Sequence, residues 1–115
     1  MDSISLVIPA LNEEERIVKN LLEICLFLDS INNLEYEIIV VDDGSTDSTS
    51  REVSELGITH QNIKLLSLNR NFGKEAAMHA GLVNSTKFDA VIVMDSDLQH
   101  PPSFIPEMID RWRQG

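Results

Sequence analysis

Two carboxylates one residue apart, Asp95 and Asp97, follow the apolar run Ala90-Val91-Ile92-Val93-Met94 and precede Leu98-Gln99-His100-Pro101-Pro102. Acids this close repel unless a proton or cation compensates, and a hard divalent ion carrying a phosphorylated ligand is the natural occupant. Gln99 adds a neutral oxygen without further repulsion, so Asp95, Asp97 and Gln99 form a candidate set for Mg2+ or Mn2+. His100 is either a further ligand or, beside Pro101-Pro102, a surface turn residue. His60 and His79 share no zinc-type spacing with it.

A second constellation is Val40-Val41-Asp42-Asp43-Gly44-Ser45-Thr46-Asp47. Gly44 permits a tight turn, Asp47 or Ser45 can cap the helix that follows, and Asp42 or Asp43 is left to point over the rim. A carboxylate there can accept hydrogen bonds from a base N–H or from ribose hydroxyls. The third is Ile8-Pro9-Ala10-Leu11-Asn12-Glu13-Glu14, where Pro9 ends a strand and Asn12 and Glu13 offer polar contacts to a planar ligand. A plain strand-to-helix connection explains the same residues. Arg70 and Lys74 are cations suited to a phosphate, and equally suited to a solvated helix start.

The elements that must carry these loops alternate in type. Residues 3–8, 36–41, 63–68 and 88–94 are short β-type runs, and the segments between and after them have helical periodicity. A helix is expected over 13–30, with Ile17, Leu21, Ile24, Cys25 and Leu28 on one face, Asn12 as its N-cap and Glu13-Glu14-Glu15 in its first turn. The next is expected over 48–56, stopped by Gly57. A third, over 72–84, carries Ala76, Ala77, Ala80 and Gly81, small enough for close packing on a sheet. The fourth, over 103–113, has Phe104, Met108 and Trp112 on one stripe and Ile105 and Ile109 beside it. The order βαβαβαβα predicts an α/β fold, a mainly parallel sheet with right-handed crossovers and helices on both faces. The first, second and fourth strands then deliver their polar loops to one rim.

Composition agrees. The 115 residues allow one domain, and 43% hydrophobic with 24% charged residues describes a globular chain. A formal net charge of -10 disfavours non-specific binding to nucleic acid or anionic lipid, so no nucleic-acid partner is expected. The single Cys25 excludes an internal disulfide and reads as a packed thiol. Neither a signal segment nor a long apolar helix is visible, which predicts a cytoplasmic piece. Because the sequence ends at Gln114-Gly115 with four strands placed, a truncated part of a longer domain is expected.

Together, Val7-Ile8-Pro9-Ala10-Leu11-Asn12-Glu13-Glu14, Val40-Val41-Asp42-Asp43-Gly44-Ser45-Thr46-Asp47 and Asp95-Ser96-Asp97-Leu98-Gln99 resemble the amino-terminal half of a family 2 glycosyltransferase of the GT-A fold. The order and spacing match over essentially the whole chain. Leu68-Asn69-Arg70-Asn71-Phe72-Gly73-Lys74-Glu75-Ala76-Ala77 with Asp97-Leu98-Gln99-His100-Pro101-Pro102 is similar to the subgroup that moves sugars onto polyprenyl or dolichyl phosphates. That resemblance implies a Rossmann-like nucleotide-binding half over residues 1–115. Pro9, Leu11 and Glu13 would line the nucleotide pocket, Asp43 would meet the base or ribose, and Asp95, Asp97 and Gln99 would hold metal and diphosphate. Leu11 stands where many relatives carry an aromatic residue.

The implied reaction transfers a sugar from a UDP- or GDP-sugar to a polyprenyl phosphate, with Asp97 as the catalytic metal-holding acid. A divalent ion there neutralises charge on the departing nucleoside diphosphate. Relatives carry acceptor-side residues in a second half, often followed by membrane helices. The 115-residue piece is therefore expected to be inactive alone, and the full-length protein to work at the cytoplasmic face of a membrane. Polysaccharide or protein acceptors, and a non-catalytic nucleotide-binding module, are the alternatives. A phosphate-accepting receiver would place its acid pair after the first strand, where Ile8-Pro9-Ala10 stands. A nucleotidyltransferase would need a Gly-rich basic loop there.

Overall fold

The computed structural model describes residues 2–85, 87–94 and 104–114. Eight elements alternate along the chain: β1 (Asp2–Ala10), α1 (Ile17–Asp29), β2 (Leu34–Asp42), α2 (Thr49–Thr59), β3 (Ile63–Ser67), α3 (Lys74–Val83), β4 (Ala90–Val93) and α4 (Phe104–Gln114). The strands form one sheet in the order β3-β2-β1-β4. Every pair is parallel, with Ile8 beside Val40, Val40 beside Leu65 and Val7 beside Val93.

The central strands are apolar on both faces because both faces are covered. Ile4, Leu6, Ile8, Ile38 and Val40 pack with Ile17, Leu21, Ile24 and Leu28 of α1, Val53 of α2 and Ile109 of α4. Val7, Ile39 and Val41 on the opposite face meet Ala77 and Ala80 of α3. Small residues bring α3 close: a Cβ on Gly81 would lie 2.3 Å from Val7 Cγ1. Further down that face the sheet is polar. There Glu37, 7% exposed, meets Lys64 Nζ at 2.9 Å and Ser5 Oγ at 3.2 Å.

This distribution fixes a switch point. From β1 the chain steps to β2 and then β3, with α1 and α2 on one face; it then crosses to the other side of β1 through α3. The strand order therefore reverses at β1, and in open sheets ligands bind outside the carboxyl ends of the strands at such a point.

Several boundaries differ from the sequence expectations. Helix α1 begins at Ile17, with no acid in its first turn, so Asn12 is not its N-cap and Glu13-Glu14-Glu15 precede it. Asn12 instead adopts a φ of 52°, and residues 12–14 bond across to the neighbouring loop. Gly57 does not stop α2, which continues to Thr59; only a positive φ would have made it a terminator, and Gly57 lacks one. Pro9 does not end β1 either. Beside it Val41 continues the register, and β4's described pairing ends at Val7, so the missing N–H falls past the described β4 pairs. In α4 the buried residue is Ile109, while Met108 and Trp112 are partly exposed and border a cavity of about 200 Å3 against β4. The side chains of Phe104 and Ile105 lie outside the described residues.

Candidate functional site

The rim loops are cross-linked by side chains that cap one another's backbone. Asn12 is the centre of the first exchange: its N–H donates to Ser45 Oγ at 2.9 Å, and its Oδ1 accepts from the Thr46 N–H at 2.9 Å. Beside it the Glu13 N–H donates to Thr49 Oγ1 at 2.8 Å. Then Glu14 and Asp47 trade bonds, the Glu14 N–H to Asp47 Oδ2 at 3.2 Å and the Ser48 N–H to Glu14 Oε2 at 2.9 Å. Asp47 Oδ1 also accepts from the Thr49 N–H and hydroxyl, closing an Asx turn at the start of α2. Neither capping residue weighed from sequence is the N-cap of α2, which is Ser48 without a side-chain cap bond; Asp47 closes the turn before it and Ser45 serves Asn12.

Burial works to raise the Asp47 pKa, but the hydrogen bonds from Thr49 and from the Glu14 amide outweigh it and hold the carboxyl below its ordinary value. Thr49, fully buried, was not singled out by sequence reasoning; its place behind Asp47 in a Ser/Thr-rich helix start was the available signal.

The two adjacent acids behave differently. Asp42 is 3% exposed and its Oδ1 accepts the Ser45 N–H at 3.0 Å, closing its own turn. Asp43 is 4% exposed and reaches the β3–α3 loop, where Oδ1 accepts the Phe72 N–H at 2.9 Å and Oδ2 the Gly73 N–H at 3.1 Å. Each carboxylate oxygen retains a second lone pair. Gly44, at φ 76°, lets this loop approach: a Cβ there would stand 2.4 Å from the Arg70 carbonyl carbon.

Pro9 is buried and level with Val41, and Ala10 O accepts the Asp43 N–H at 2.9 Å, so Pro9 and Asp43 belong to adjoining strand ends. Leu11 follows β1 and is 39% exposed. Glu13 pairs with Arg16 at 2.9 Å beside a polar cavity of about 360 Å3 lined by Asn12, Glu14, Glu15 and Asp47. Asp95, Asp97 and Gln99, and His100 with them, lie outside the described residues. What is described is the strand that precedes them: the Met94 N–H donates to Val7 O at 2.9 Å, which holds the end of β4 alongside β1. Among the described residues no three His, Cys, Asp or Glu side chains converge as a metal site. That agrees with the chemistry of the rim, where Asp42, Asp43, Asp47 and Glu14 already accept backbone amides.

A parallel α/β sheet with its polar loops gathered at a switch point belongs to the class of folds that bind ligands at the carboxyl ends of their strands. Residues 5–115 match the family described as Glycosyl transferase family 2, and the chain belongs to that family. It is 43% identical, over 97% of its length, to an uncharacterized glycosyltransferase of Synechocystis sp., covering 35% of that protein. It is 41% identical, again over 97%, to a prophage bactoprenol glucosyl transferase homolog of Escherichia coli, covering 36% of it. The chain thus spans about a third of the length of these relatives. Among solved structures it is similar to a mannosyltransferase of Pyrobaculum calidifontis in complex with GDP-Man and Mn2+, with a TM-score of 0.71 and 27% identity over 82% of this chain and 27% of that one. The fold is the Rossmann-like half of a GT-A glycosyltransferase. No helix among the described residues is long and apolar enough to cross a membrane.

Proposed function

We propose that residues 1–115 form the nucleotide-sugar-binding part of a glycosyltransferase that moves a sugar from a nucleoside-diphosphate donor to a polyprenyl phosphate. The observation that carries this reading is the reversal of strand order at β1, with the loops after β1 and β2 cross-linked at that rim and Asp95 and Asp97 following β4 in sequence. The bactoprenol glucosyl transferase relative supports the lipid-phosphate acceptor, and the neighbour with GDP-Man and Mn2+ supports a nucleotide sugar with a divalent ion.

In this reading Pro9 and Leu11 form the apolar side of the nucleoside pocket, and Glu13 with Asp43 supplies its acceptors. Asp95, Asp97 and Gln99, two carboxylates and a neutral oxygen within one short segment, would hold Mg2+ or Mn2+. When bound, the ion supplies Lewis-acid stabilisation to the departing diphosphate. A phosphate acceptor is already anionic and needs little help from a base. The full-length protein would meet that acceptor at the cytoplasmic face of the membrane, and the acceptor-side groups would come from residues outside this part.

Calorimetric titration of the 115-residue chain with UDP-glucose and GDP-mannose, with and without Mn2+, tests the reading. Metal-dependent binding of one donor, lost in Asp97→Ala, is the expected result. Equal binding without metal would remove the ligand assignment at Asp95, Asp97 and Gln99. Sugar transfer to a polyprenyl phosphate by the chain alone would overturn its expected inactivity.

A further inference from the structure

We propose that Asn12 is a positioning residue that clips the loop after β1 to the loop after β2 and so sets Leu11 and Glu13 at a fixed spacing from Asp43. The proposal rests on the nucleotide-sugar reading, in which those residues belong to the nucleoside pocket, and adds to it the residue that fixes their spacing. Leu11 and Glu13 come from one loop and Asp43 from the end of the neighbouring strand, so the two groups keep one spacing only if they are tied beyond the last rung of the sheet. That rung is the Asp43 N–H donating to Ala10 O at 2.9 Å. Past it Leu11 and Asn12 are exposed, and an exposed loop is mobile unless hydrogen bonds hold it.

Asn12 supplies the tie in both directions. Its N–H donates to Ser45 Oγ at 2.9 Å, and its Oδ1 accepts the Thr46 N–H at 2.9 Å and the Thr46 hydroxyl at 3.3 Å. Because Asn12 stands between Leu11 and Glu13 in the chain, restraint at Asn12 reaches both. Its φ of 52° is left-handed, a conformation that asparagine tolerates better than most residues with a side chain. Glycine would take the same turn at less cost, but it would offer no acceptor to Thr46. The other side of the clip is anchored as well: Asp42 Oδ1 takes the Ser45 N–H at 3.0 Å, which holds Ser45 to the strand end that leads into Asp43. The Glu13 N–H to Thr49 Oγ1 at 2.8 Å then continues the contact into α2. A loop ordered before its ligand arrives loses less freedom on binding.

Asn12→Gly separates the clip from the turn, since glycine keeps the left-handed φ and removes only the side-chain acceptor. Without any ligand, hydrogen exchange of the Thr46 amide is expected to accelerate about tenfold in Asn12→Gly and to stay near the wild-type rate in Asn12→Asp, whose carboxylate keeps an acceptor. With Mn2+ and UDP or GDP, Asn12→Gly is expected to weaken the tighter-binding diphosphate about fivefold. In a Glu13→Ala background the same change should cost about twofold, because part of its effect passes through Glu13. Ser45→Ala, which removes the acceptor of the Asn12 N–H from the opposite loop, should reproduce the fivefold loss and serves if Asn12→Gly fails to fold.

Unchanged Thr46 exchange in Asn12→Gly, or a binding penalty equal in the wild-type and Glu13→Ala backgrounds, overturns the proposal. Absence of diphosphate binding by the wild-type chain overturns the nucleotide reading and Asn12's part in it, and the exchange measurement then decides by itself whether Asn12 ties the two loops.

Discussion

Tyr36 is the residue whose ionisation the structure alters most visibly. Burial raises its pKa, and the hydrogen bond it donates to Asp29 Oδ1 at 2.6 Å raises it further, since a phenolate could not donate. Cys25 packs nearby, its thiol pushed up by burial, partly offset by the Tyr36 hydrogen bond, with a smaller rise from the Asp29 charge. The sign follows from linkage. A folded-state pKa above the unfolded value means the contribution to stability is complete below about pH 10, the ordinary tyrosine value, and is lost as pH rises beyond it. Urea midpoints of the wild type and Tyr36→Phe should therefore fall in parallel up to about pH 9.5 and converge at higher pH. Because the chain has one tyrosine, its phenolate absorbance can be followed directly. A native titration at the ordinary tyrosine pKa would refute the assignment.

At the scale of elements, α3 packs closely on the sheet through a glycine. Gly81 sits over Val7 and Val41, with a Cβ position 2.3 Å from Val7 Cγ1 and 3.2 Å from Val41 Cγ2. Two effects oppose each other in Gly81→Ala. Helix propensity favours alanine by about 1 kcal/mol, whereas overpacking against a β-branched side chain costs about 1–3 kcal/mol. Val7 is fully buried in a central strand and has little room to yield, so the packing term should win. Gly81→Ala is expected to lower the unfolding free energy by about 1–2 kcal/mol, with the loss reversed in the sign of the coupling when Val7→Ala is added. Denaturant unfolding of the two single variants and the double variant measures it. A stabilised Gly81→Ala would show that α3 moves away freely.

The whole molecule explains which features were legible in its sequence. Strands buried on both faces must be apolar throughout, so Val7-Ile8 and Ile38 to Val41 announced themselves, as did the half-buried Val91 to Val93, and their alternation with helices pointed to the parallel sheet. The start of α1 did not, because its determinants are tertiary. Residues 12–14 are drawn out of α1 by Ser45, Thr49 and Asp47, partners more than thirty positions away, which no local pattern displays. Asp43 was legible as a rim acid from Gly44 and its strand, but its bonds to Phe72 and Gly73 depend on β2 and β3 lying side by side. Arg113 is a long-range tie of the same kind, closing α4 onto the beginning of the sheet. Its Nε donates to Asp2 Oδ2 at 2.6 Å and its Nη2 to the Asn32 and Asn33 carbonyls at 3.1 and 3.2 Å. An exposed ion pair contributes at most about 1 kcal/mol, while bonds from a charged donor to carbonyls contribute about 1.5–3 kcal/mol, so the carbonyls should matter more than Asp2. Arg113→Ala is therefore expected to cost about 1–2 kcal/mol and to speed amide exchange in α4 more than in β1, and Asp2→Ala less than about 1 kcal/mol. Equal losses in the two variants would assign the tie to the ion pair alone.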